Sequence, residues 1–127
     1  IVKYSKMRSP LNHAVTMFKK SIVEKAGGYK HMLWMEDYYL WVRIIINGAK
    51  LYNLQDTLLN VRAGDSMLVR RGGLSYVKAE VIFLNELKKV GYLTTIEYLK
   101  NILIKVPIRL LPKRLLKSVY GLLRSKK

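Results

Sequence analysis

The sequence contains no cysteine, which excludes a disulfide framework and any thiolate-held metal and fits a reducing compartment. Carboxylates are scarce, eight against twenty-four Lys and Arg. No window approaches the roughly 20 apolar residues of a membrane span; the run Val42 to Ile46 is interrupted only by Arg43. Neither a glycine-rich nucleotide loop nor an Asp-x-Asp pair occurs anywhere. The only histidines, His13 and His31, have no cysteine and no nearby acid to complete a metal site, so no metal is expected in this chain. Internal repeats and low-complexity linkers are absent as well.

What is present is a chain of 127 residues, half of them apolar, enough for one domain with a core. The net charge of +16 points to an anionic partner such as nucleic acid, lipid headgroups or a phosphorylated ligand. Residues 94–127 carry nine Lys or Arg and one acid, so half the excess charge sits in the last 34 residues. The chain starts on Ile without the features of a native N-terminus, and a piece of a longer protein is expected.

The alternation in "NHAVTMF" (Asn12 to Phe18) predicts a strand. Ser21 with Glu24 reads as a capping box opening a short helix that Gly27-Gly28 closes. From Asp37 to about Asn47 the pattern is helical and apolar on most sides, so this helix should be buried, with Gly48 as its stop. "KLYNL" and "TLLNVR" read as two short strands around an Asp56-Thr57 turn. Leu74, Val77, Val81, Leu84 and Leu87 predict a long helix ended by Gly91. Thr94 with Glu97 predicts a second capping box, in a helix that Pro107 should stop, and Pro112 suits the first turn of a last helix. The expected organisation is a small α/β part over 1–66, then a helical basic region over 67–127 with an amphipathic helix at about 112–125.

Glu36 and Asp37 stand side by side where the apolar helix begins. There, carboxylates cap free N–H groups and meet the positive end of the helix dipole. A carboxylate beside a pocket can equally serve as a base for a hydroxyl, and spacing alone does not choose. "RRGG" (Arg70 to Gly73) precedes the next helix, where cations are unfavourable unless an anion lies between them and the N–H groups. Arg62 joins them if its loop folds back; two solvated arginines are the plainer reading. In the tail, Leu115, Leu116, Val119, Tyr120, Leu122 and Leu123 fall in one arc of about 160°, opposite Lys113, Lys117 and Arg124. A basic amphipathic helix of this kind suits an anionic membrane surface. It could also pack on its own domain; nucleic acid fits worst, because the aromatics do not alternate with the basic residues.

Taken together, "RSPLNHAVTMFKKS", "AGGY", "EDYYLWVRIIINGAKLYNL", "LLNVRAG" and "RRGG" resemble, in order and spacing, the C-terminal half of a bacterial family 2 glycosyltransferase. The similarity is greatest to enzymes of capsule, exopolysaccharide or lipopolysaccharide synthesis, and runs from about Arg8 to at least Tyr76. It implies the C-terminal part of a GT-A nucleotide-diphospho-sugar fold, an α/β class, followed by the helical tail. By this resemblance Asp37 is the base that deprotonates the acceptor hydroxyl, and Glu36 supports it or contacts the acceptor. His13 and Trp41 belong with the substrate-binding residues, and Arg62, Arg70 and Arg71 approach the leaving diphosphate. The nucleotide site and the Asp-x-Asp that holds Mg²⁺ or Mn²⁺ belong to the family's other half, so this chain alone is expected to be inactive. The implied partners are a nucleotide-sugar donor, a saccharide or lipid-linked acceptor and the inner face of the plasma membrane, from the cytoplasm, with a homodimer possible. The competing expectation is a non-catalytic basic module binding anionic membrane or nucleic acid.

Overall fold

The computed structural model describes residues 1–60, 71–112 and Leu115. Its regular elements are helical: α1 (Val2–Ser5), a 3₁₀ turn (His13–Val15), α2 (Lys20–Lys25), α3 (Glu36–Ile46), α4 (Leu74–Lys89) and α5 (Thr95–Leu110).

Helix α3 is the centre. Every residue from Tyr38 to Ile44 is buried, so this helix is covered all round. On one side Tyr38, Tyr39 and Val42 join Tyr76, Phe83, Leu84 and Leu87 of α4, with Tyr92 and Leu93 beyond it. On the other, Leu40, Trp41 and Ile44 meet Ala26, flanked by Leu11, Ile22, Val23 and Ala49. A cap contributes about 1 kcal/mol, whereas burying each large apolar side chain contributes about 1.5–3 kcal/mol. Burial therefore decides that this segment is a helix. Its one cation is accommodated rather than exposed: Arg43 donates to the carbonyls of Ala26 (2.5 Å) and Gly28 (2.6 Å) and lies 4.8 Å from the Tyr39 ring centre. Burial lowers the Arg43 pKa, against the opposing influence of Tyr39. This guanidinium ties the end of α2 onto α3.

The helix ends follow their local signals. At the end of α3, Ala49 N–H donates to Ile44 O and Gly48 N–H to Ile45 O, with Gly48 at φ 79°. That pair of bonds needs a left-handed residue, which glycine supplies without a Cβ clash. The ends of α2 and α4 close by the same pattern. At the start of α5, Thr94 Oγ1 accepts from Glu97 N–H and Glu97 returns a bond to Thr94 N–H, as the capping-box spacing predicts.

Four local expectations are corrected. Helix α2 begins at Lys20 after Lys19, so Ser21 lies inside it and caps nothing. The buried stripe of α4 runs through Tyr76, Ala79, Glu80, Phe83, Leu84 and Leu87, while Leu74 is 77% exposed. The two aromatic rings bury more area than Leu74, Val77 and Val81, and the helix is rotated to favour them. Pro107 does not end α5, which runs on to Leu110. Proline inside a helix costs about 3 kcal/mol, but Arg109 in that last turn is held by Glu80 and its carbonyl accepts from Gly73 N–H at 2.9 Å. The segments 12–18 and 51–60 form no strand among the described residues. Thr16 and Lys19 are extended, but a strand needs a neighbour for its N–H and C=O groups. Asn53 Nδ2 instead donates to Pro10 O at 3.3 Å, a side-chain bond and not a ladder bond.

The first residues dock on α5. Lys6 Nζ contacts Glu97 Oε1 at 2.7 Å, and buried Asn101 Nδ2 donates to Lys6 O at 3.0 Å. Ser5 Oγ bonds the Tyr92 hydroxyl, and Tyr38 donates to Ser5 O at 2.5 Å. The Lys6 contact first, then the bonds at Thr94, hold the Glu97 carboxyl below its usual value of 4.5. A carboxylate with a lowered folded pKa stabilises fully above its unfolded value and loses that contribution as pH falls through the folded one. In acid titrations of stability, the gap between the wild type and Glu97→Gln should be constant near neutral pH and close below 4.5. A gap that persists into acid would show that the carboxylate charge contributes nothing.

Candidate active site

The start of α3 carries Glu36 and Asp37, both half-buried. No side chain caps from Met35; instead Asp37 Oδ1 accepts the Tyr38 N–H at 2.7 Å. Of the two carboxylates it is Asp37 that satisfies a free helix N–H, and it does so with one oxygen. Asp37 also lines a cleft of about 500 Å³, which Glu36 does not.

That cleft is assembled from distant stretches. Its charged lining is Arg8, Asp37, Arg71, Glu80, Lys105 and Arg109, four cations against two carboxylates. Glu80 is buried and bridges both α5 cations, with Lys105 Nζ at 3.4 Å and Arg109 Nε at 3.0 Å. Burial lowers the Lys105 pKa, opposed by Glu80 and reinforced by Arg109 and Arg8. With Glu80 engaged inside the wall, the cleft keeps an excess of positive charge near Asp37. Such a site suits an anionic ligand alongside a hydroxyl that the remaining Asp37 oxygen can accept from.

Trp34 forms part of the same lining. Its ring stacks on Tyr76 at 5.2 Å and 11°, and Arg109 lies 4.7 Å from the Tyr76 ring centre. Trp34 adopts φ 63°, a left-handed conformation that costs a non-glycine residue about 1–3 kcal/mol.

The expected site residues are distributed unevenly. Arg71 shares the cleft with Asp37; Arg62 and Arg70 lie outside the described residues. His13 is exposed and does not line the cleft; its Nδ1 lies 3.3 Å from the Tyr29 hydroxyl, which does not line the cleft either. The Tyr29 pKa is raised by burial and then by the Asp37 charge. Trp41 is 1% exposed, and its indole Nε1 has no protein partner. It borders a second cavity of about 710 Å³ between residues 10–19 and 49–59. The N-terminus of α4, expected to face an anion, gives its Gly73 N–H to the Arg109 carbonyl.

Arg8, Trp34, Glu80, Lys105 and Arg109 escape a reading of spacing. Only Glu80 leaves a trace, as a carboxylate embedded between Ala79 and Phe83 on the apolar side of α4. Among the described residues no three His, Asp or Glu gather as metal ligands. Asp37 and Glu80 are engaged by the Tyr38 N–H and by the α5 cations, so these residues do not fit a divalent ion.

Sequence comparison shows similarity to glycosyltransferases. It is 38% identical over 123 residues to the amylovoran biosynthesis glycosyltransferase AmsE of Erwinia amylovora, covering 94% of this chain and 45% of that one. It is 36% identical over 112 residues to a UDP-Gal:alpha-D-GlcNAc-diphosphoundecaprenol beta-1,3-galactosyltransferase of Escherichia coli, covering 88% and 41%. An uncharacterized glycosyltransferase of Haemophilus influenzae is 35% identical over 120 residues, covering 94% and 44%. The chain thus spans less than half the length of these relatives. No family model and no solved structure matches it.

The buried triad generates a stability prediction. Removing one partner of a buried ion pair strands the others and costs about 3–5 kcal/mol. Glu80→Ala should lower stability by that order in urea unfolding. A loss of only a few tenths of a kcal/mol, as for an exposed pair, would show that Lys105 and Arg109 find water instead.

Proposed function

We propose that this chain is the acceptor-side portion of an inverting, nucleotide-sugar-dependent glycosyltransferase of the family 2, GT-A type, with Asp37 as its general base. The observation that carries the reading is the Asp37 carboxylate in a cleft with excess positive charge, within a stretch homologous to glycosyltransferases. One Asp37 oxygen holds the Tyr38 N–H, which fixes the carboxylate, and the other takes the proton of an acceptor hydroxyl. That hydroxyl oxygen attacks the anomeric carbon of the donor sugar as the bond to the diphosphate breaks in line. The nucleoside diphosphate leaves with the electron pair, and Arg8 and Arg71 lie where they can meet its charge. Glu36 supports Asp37 or contacts the acceptor.

The name of the Escherichia coli relative contains a UDP-sugar donor and a diphosphoundecaprenol-linked acceptor. A nucleotide-diphosphate sugar and a lipid-linked saccharide are accordingly the substrate classes proposed. The donor site, with its divalent ion, belongs to the remaining length of such enzymes, and this stretch is inactive without it. Work on a lipid-linked acceptor places the protein peripherally on the cytoplasmic face of the plasma membrane. Helix α5 supports this with Ile96, Leu99, Leu103 and Leu110 exposed beside Lys100; among the described residues no helix is long and apolar enough to cross a membrane. The basic tail at 113–127, Leu115 apart, lies outside the described residues.

A positioned base contributes about 10²–10⁴-fold to rate. In an active chimera joining the N-terminal portion of the Escherichia coli relative to this chain, Asp37→Asn should cut kcat by that factor and leave KM for the nucleotide sugar unchanged. Transfer at near wild-type rate would remove Asp37 from the base role.

A further inference from the structure

Trp34 is the one described non-glycine residue with a left-handed backbone, and it is 49% exposed. A large indole normally moves into the core or flattens against it. This one lies in the lining of the Asp37 cleft, its ring stacked on buried Tyr76. Tyr76 is itself braced by Arg109, which Glu80 holds. The ring is thus fixed by a stacked partner while much of its surface stays open, beside the carboxylate that accepts hydroxyl protons.

A rigid aromatic surface next to an acceptor-only carboxylate is complementary to a pyranose. The C–H face of the sugar covers the ring, and the hydroxyls around its edge donate to the carboxylate. A nucleobase would also stack, but uracil offers a single N–H donor, whereas each ring position of a sugar can present one. We propose that Trp34 is the stacking platform for the acceptor sugar and determines which hydroxyl meets Asp37. Naming that sugar as the acceptor rests on the transferase reading above; binding of a pyranoside at Trp34 does not.

The chain has two tryptophans, so ¹⁵N labelling gives two indole N–H signals, with buried Trp41 as internal control. Titration with methyl N-acetyl-β-glucosaminide and methyl β-galactoside should shift the Trp34 signal saturably and leave Trp41 in place. Saturation transfer from protein to glycoside then reports binding in variants. Trp34→Gly accepts the left-handed φ, so the fold is retained and the platform is lost; affinity should fall about tenfold, the equivalent of one stacking contact. Trp34→Tyr, which restores a ring, should bind within about threefold of wild type. If neither glycoside moves Trp34, if uridine alone does, or if Trp34→Gly binds like wild type, the platform is refuted. An active Asp37→Asn chimera with saccharide still bound at Trp34 would remove only the base. A silent Trp34 with an inactive Asp37→Asn would remove only the platform.

Discussion

A helix apolar on every side must be covered on every side, and the rest of this structure answers that demand of α3. One face is closed by α4 through Phe83, Leu84 and Leu87, the other by α2 and the segments around Leu11 and Ala49. Because both faces are taken, the two polar ends of α3 mark where chemistry can occur. Its C-terminus is closed by Gly48, and Arg43 ties its flank to α2. Its N-terminus has no cap from Met35 and holds Asp37 at the mouth of a cleft. The burial that makes the helix also fixes the carboxylate that lines the cleft.

Electrostatics shape the cleft from the other side. In a chain with three cations per acid, a carboxylate buried beneath two cations is costly to desolvate and costly to lose. Glu80 holds Lys105 and Arg109 in the wall and anchors the last turn of α5 past Pro107. The same arrangement braces Tyr76 through Arg109, and Trp34 through Tyr76. Arg8 and Arg71 complete the cationic lining, and Arg8 is brought there by the docking of Ser5 and Lys6 against Tyr92, Tyr38 and Glu97.

What could be read from the sequence was local in origin. The all-apolar stretch marks α3, the glycines at 48 and 91 mark helix ends, and Thr94 with Glu97 marks a cap, because each signal lies within a few residues of its effect. Spacing does not decide between Glu36 and Asp37, and the base role of Asp37 comes from the resemblance alone; the cleft lining includes Asp37 and not Glu36. Misread features depend on partners far along the chain. The stripe of α4 is rotated towards Tyr76 and Phe83 because α3 offers aromatic contacts, Phe83 lying 4.6 Å from Tyr38. The extension of α5 depends on Glu80, twenty-nine residues before Arg109. The segment 12–18 has strand-like alternation, but pairing needs a neighbouring strand, and the described residues hold none.

The cleft shows most clearly why spacing fails at a site. Its lining includes residues 8, 34, 37, 71, 80, 105 and 109, and none of its four cations lies near Asp37 in sequence. Asp37 is held by a bond one residue away, while the charge around it is set by contacts across the chain, Glu80 to α5 and Lys6 to Glu97 among them. Local order thus fixes the Asp37 carboxylate, and tertiary order sets the charge around it. A substitution in the Glu80 wall therefore acts on the Asp37 cleft without touching Asp37, by loosening the braced ring of Tyr76 and the cations at once.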